Sequence, residues 1–95
     1  MTDDEPAGEP RWRRAPDALW RRAFDAVIVL PAGVDEPMTL VGSGPQLWEL
    51  LVEPRTFASL VDALASAFSE DRDVVAADIA PVVERLIAVG AIEPA

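Results

Sequence analysis

Phe24-Asp25-Ala26-Val27-Ile28-Val29-Leu30 is the stretch on which the fold turns. Its β-branched and aromatic content predicts a strand. The face of residues 24, 26, 28 and 30 is wholly apolar. The other face carries Asp25, then Val27 and Val29. Both faces are therefore expected to be partly covered, with the strand at the centre of a sheet. Downstream, Pro31, Gly33 and Pro37 punctuate a polar segment, and Met38-Thr39-Leu40-Val41 forms a second short run. The two runs read as a hairpin with a loose seven-residue loop. Upstream, Leu19-Trp20-Arg21-Arg22 reads as an earlier strand with its arginines on alternate faces.

After Gly42 the pattern changes to helix. Ser43 followed by Gln46 is a capping-box spacing, and Pro45 suits a first turn whose amide has no partner. Leu47, Leu50 and Leu51 make one face, with Trp48 beside it, and Pro54 ends the helix near Val52. Thr56 is a natural N-cap for the next helix. There Phe57, Leu60, Val61, Leu64 and Phe68 recur at i, i+3, i+4, i+7 and i+11. Ser69 to Asp73 is expected to be a loop. A last helix runs from about Val74 to Val89, closed by Gly90 at C′. Pro81 within it must either kink the helix or start a new segment capped by Asp78. The apolar residues from Val75 to Val89 span an arc of about 160°, against the roughly 100° needed to cap a core. Either one edge of this helix lines something else, or it packs on both sheet and helices. Ala91-Ile92-Glu93 is expected to return to the sheet.

Composition narrows function. The 95 residues fit one domain. Histidine, cysteine and tyrosine are all absent, which removes the usual general bases, thiol chemistry and the strongest metal ligands. No catalysis and no bound metal or cofactor are expected. Glu49 and Glu53, one helical turn apart, are the best acid–base pair on offer, but they fall on an expected solvated face. Eight basic residues, all arginine, stand against 17 acidic ones for a net charge of −9. Residues 1–10 hold four acids and no base, residues 11–22 five arginines and one acid, and residues 23–95 the remaining 12 acids and three arginines. The N-terminus lacks the features of a secretory signal, and no apolar run approaches the roughly 20 residues of a membrane span. A cytoplasmic protein without membrane contact is expected. Residues 1–17, rich in proline and charge, read as a disordered tail, and residues 18–95 as the folded domain.

Three strands followed by three short helices outline an α+β, winged-helix-like fold with a three-stranded antiparallel sheet. The chain resembles the PqqD family, the recognition element of ribosomally made, modified peptides. The resemblance rests on Phe24-Asp25-x-Val27-x-Val29-Leu30, then Leu40-x-Gly42-Ser43-Gly44 and Leu47-Trp48-Glu49-Leu50-Leu51. It continues through Glu53-Pro54-Arg55-Thr56-x-x-x-Leu60-Val61-x-x-Leu64 and ends on Asp78-Ile79-x-Pro81-Val82-x-x-x-Leu86-x-x-x-Gly90. Each motif alone is ordinary; their order and spacing carry the likeness. It implies a non-catalytic chaperone that binds the leader segment of a precursor peptide and presents it to a modifying enzyme, often a radical enzyme using S-adenosylmethionine. The leader would add as a strand to the sheet edge at Met38, Thr39, Leu40 and Val41. The last helix would form the groove wall through Val75, Ile79, Val82 and Leu86. The family's namesake serves pyrroloquinoline quinone synthesis, a pathway that nothing in this chain singles out.

Elementary chemistry supports that mode. An edge strand offers unpaired amides and carbonyls to another chain, and strand addition takes its specificity from pockets for alternate side chains. Residues 38–41 carry no charge that would block such pairing. Asp78 and Arg85 border the apolar arc, where they either set register by charge or form an exposed couple of little energetic consequence. The competing reading is a winged-helix DNA-binding transcriptional regulator. Such a protein needs a recognition helix rich in basic residues, whereas residues 74–89 hold one arginine with Asp78 and Glu84. No nucleic-acid partner is expected.

Overall fold

The computed structural model describes residues 9–95. Strands β1 (Arg11–Arg14), β2 (Leu19–Ala23), β3 (Ala26–Leu30) and β4 (Met38–Leu40) precede helix α1 (Gly44–Leu50). A two-residue strand β5 (Arg55–Thr56) leads into α2 (Phe57–Phe68), followed by α3 (Arg72–Ala88) and β6 (Ile92–Pro94). The strands form two antiparallel sheets, ordered β2-β3-β4 and β5-β1-β6. The expected α+β, winged-helix-like plan of a three-stranded sheet followed by three helices is present, with a second small sheet added to it.

β3 is central, as expected, but its buried face is the reverse of the apolar-looking one. Val27 and Val29 are fully buried, whereas Ile28 and Leu30 are half-buried. The helices pack on one side of this sheet only, and Trp48, Leu47 and Leu51 of the α1 segment join Val27, Val29 and Leu40 in the core there. Phe24 is not in the strand. It is 99% exposed and occupies the first position of the two-residue β2–β3 turn, with φ +59°. Positive φ at that position alone is the type II′ pattern, where glycine is the usual residue.

The N-terminal tail is the largest departure from the sequence reading. Residues 1–8 lie outside the described residues, but Arg11–Arg14 forms a strand paired with both β5 and β6. The folded unit therefore starts well before Ala18. The ladder holds this charged segment to the body, and three of its four side chains, those of Trp12, Arg13 and Arg14, find partners from elsewhere in the chain. Arg13 pairs with Glu93 at 2.8 Å. Trp12 packs against the core. The Arg14 guanidinium lies 4.7 Å from the Trp20 ring centroid and 4.9 Å from that of Trp48. It also donates two hydrogen bonds, of 2.9 and 2.7 Å, to the Trp48 carbonyl. Burial pushes the Arg14 pKa below its ordinary value, and Glu49 acts in the opposite sense.

Local signals at the helix ends held unevenly. Thr56 caps α2 by accepting from the Ser59 amide at 3.0 Å. Gly90, at φ +80°, ends α3: its amide and that of Ala91 bond back to the carbonyls of Ile87 and Leu86, the Schellman arrangement. Ser43, by contrast, makes no side-chain capping bond; its backbone is already helical, so its hydroxyl is not aimed at the amides of the first turn. α3 begins at Arg72, earlier than expected, and runs unbroken through Pro81. Pro81 and Ala77 are both exposed, so the carbonyl that loses its helical partner to proline lies at the helix surface, within reach of solvent. Finally, residues 92–94 pair with β1 rather than with the main sheet, and Arg55–Thr56 adds a strand where only helix and loop were expected.

Candidate peptide-binding groove

The site is built on strand alternation. Ala23 and Ala26 flank the two-residue turn and are Cα partners, so they form a hydrogen-bonded pair; pairs then alternate along the hairpin. Ala26, Ile28 and Leu30 therefore turn their backbone groups toward β2, and Val27 and Val29 turn theirs toward β4. The partners of Val27 and Val29 in β4 are Leu40 and Met38, which complete the inner ladder. Thr39, opposite Ile28, is left with its amide and carbonyl pointing away from the sheet. β4 is an edge strand, so those groups face the open side.

A groove of about 270 Å³ runs along this edge. Met38, Thr39, Leu40 and Val41 line it on the strand side, although β4 itself ends at Leu40. Ile79, Pro81, Val82 and Arg85 line it from α3, and Ser43, Gly44 and Leu47 close the end where α1 begins. The helical stripe buried in the core is narrow, comprising Val75, Ile79, Val83 and Leu86. Val82 lies beside that stripe and is half-buried. The excess width of the apolar arc thus has a use: its edge faces the groove.

Seven of the ten expected site residues meet here: Met38, Thr39, Leu40, Val41, Ile79, Val82 and Arg85. Val75 and Asp78 instead line an adjoining pocket reached past Ile79. Leu86 is a correction to the groove wall. It is fully buried and belongs to the core, because it falls on the buried stripe of α3 with Val75, Ile79 and Val83 rather than on the edge that carries Val82. Pro81, Ser43, Gly44 and Leu47 were missed. Pro81 falls between Asp78 and Arg85 on one helical face, a signal visible in the spacing. The contribution of residues 43–47 follows from how α1 folds back on β4, which no local pattern reveals.

The groove lining holds one ionisable side chain, Arg85, and two hydroxyls. Among the described residues no three or more carboxylates converge to hold a metal, and no helix is long and apolar enough to cross a membrane.

The fold and groove define a small α+β domain with an open sheet edge beside a helix, suited to taking up an extended chain. The family model of coenzyme PQQ synthesis protein D (PqqD) matches residues 26–92, most of the chain, and this protein belongs to the PqqD family. β1 and β2 lie outside the matched residues. Neither the curated proteins nor the solved structures returned a significant match.

Proposed function

We propose that this protein is a non-catalytic chaperone that binds the leader segment of a ribosomally made precursor peptide and presents it to a modifying enzyme, such as a radical enzyme using S-adenosylmethionine. Membership of the PqqD family supports this reading. The observation that carries it is the outward-facing backbone of Thr39, set at a sheet edge beside the apolar wall of Ile79 and Val82. The leader adds as a strand next to β4. Its backbone pairs with Thr39, and alternate side chains enter the groove toward α3. The protein works in the cytoplasm, where precursor and enzyme are made.

The DNA-binding alternative gains nothing from the geometry. Of the two arginines on α3, Arg72 is paired with Asp62 and Arg85 lines the groove.

Titration calorimetry against the N-terminal segments of the short peptides encoded beside the gene tests the proposal. One of them is expected to bind at micromolar Kd or tighter, about −8 kcal/mol; the partner for a body of net charge −9 is expected to carry positive charge, so binding should weaken as salt screens that attraction. Absence of heat with every such peptide would count decisively against it.

A further inference from the structure

The groove does not stop where β4 does. Ser43 and Ile79 line it and also a second pocket of about 270 Å³, set between the start of α1, the end of α2 and the first half of α3. The floor of this pocket is apolar: Leu64, Val75 and Ile79 are buried in it. Phe68, 48% exposed, forms an apolar wall. The rim is acidic. Glu70 and Asp78 both line it, both are exposed, and neither has an ion-pair partner among the described residues. The opposite end of the groove differs. There Arg85 and Glu36 share one small recess, so opposite charges leave that end without a net preference.

We infer that the pocket bounded by Phe68, Glu70, Val75 and Asp78 selects a lysine or arginine side chain of the bound peptide, taking its aliphatic stem on the apolar floor and its cationic head on the two carboxylates. The inference rests on strand addition at β4. Side chains of an added strand that point toward α3 recur every second residue, about 6.8 Å apart. Two of them lie opposite Met38 and Leu40. The next falls opposite Gly42, which at φ +62° turns the chain out of the sheet toward Ser43 and α1. That third side chain stands over Ser43 and Ile79, at the mouth of the acidic pocket. A long amphipathic side chain suits a dry floor with a charged rim. An acidic one would meet two like charges, and the net charge of −9 disfavours it further.

A display library of random twelve-residue peptides is the probe, selected in parallel on the parent protein, on the double variant Glu70→Gln/Asp78→Asn and on Thr39→Pro. The parent is expected to enrich peptides with apolar residues at two alternate positions and lysine or arginine at the next. The double variant is expected to keep the apolar preference and lose the basic one. Affinity of a parent-selected peptide should fall up to about fivefold per carboxylate removed, and the difference should shrink at high salt. A parent selection without basic enrichment, or a double variant that keeps it, overturns the pocket assignment. Loss of all binders on a folded Thr39→Pro then shows that strand addition still stands. Should Thr39→Pro melt below the parent, Val82→Asp replaces it in the comparison. Unchanged selection on the replacement, or no enriched peptide on the parent, overturns both readings.

Discussion

Gly44 closes on Leu40 so tightly that a Cβ at Gly44 would lie 2.8 Å from the Leu40 Cβ. This contact seats the first turn of α1 on the edge strand and brings Ser43, Gly44 and Leu47 to the end of the groove. Gly44→Ala is expected to destabilise the domain by about 1–3 kcal/mol through overpacking. It should also displace the end of β4 and weaken peptide binding. The measurement is a denaturant titration followed by tryptophan fluorescence, alongside calorimetry. A variant as stable as the parent would show that α1 and β4 are not locked together here.

The two middle positions of the edge invite opposite proline effects. Thr39 directs its amide outward and Leu40 directs its amide to Val27. Thr39→Pro is expected to leave the ladder and the melting temperature close to the parent's while removing a hydrogen bond the peptide needs, at a cost of about 1–3 kcal/mol in affinity. Leu40→Pro breaks the inner ladder and should unfold or strongly destabilise the domain. Circular dichroism melts and peptide affinity, measured on both variants, decide the matter. Equal melting losses in the two would refute the assigned alternation.

Arg14 ties the N-terminal strand to the body. Arg14→Ala removes two cation–π contacts and two hydrogen bonds to the Trp48 carbonyl, and a loss of about 2–3 kcal/mol is expected. Arg14→Lys should restore little of it, since an ammonium lacks the planar fork that bonds and stacks at once. Chemical denaturation of both variants gives the comparison. A change below about 0.5 kcal/mol in Arg14→Ala, the usual range for a featureless surface site, would mean that Arg14 does not anchor β1 and that its ladder, Trp12 and Arg13 suffice.

Val82 and Leu86 stand one turn apart on α3 and are expected to fail differently. Val82→Asp places a charge in the half-buried groove wall and should reduce peptide binding with a modest stability loss. Leu86→Ala opens a cavity in the core and should cost about 2–5 kcal/mol, while peptide affinity of the folded fraction changes little. Stability and affinity measured together separate groove from core. If Leu86→Ala lowers affinity as much as Val82→Asp does, Leu86 acts in the groove after all.

What could be read from the chain alone was whatever nearest neighbours decide. The strand tendency of Ala26–Leu30, the Thr56 cap, the apolar spacing from Phe57 to Leu64 and the glycine stop at Gly90 are local preferences, and the structure realises each. The edge position of Met38–Leu40 followed from strand order, so most of the groove was legible as well. The features decided by the tertiary structure all depend on which distant group arrives at a given place. Arg11–Arg14 looks like solvated tail until Glu93 and Trp48, far along the sequence, and the neighbouring strand's Trp20 supply partners. Val27 and Val29, rather than Ile28 and Leu30, are buried because the helices cover that side of β3. The same packing sends Leu86 into the core and leaves Val82 at the groove. A sequence period states that two faces differ; only the packing of the remaining elements determines which of them is covered.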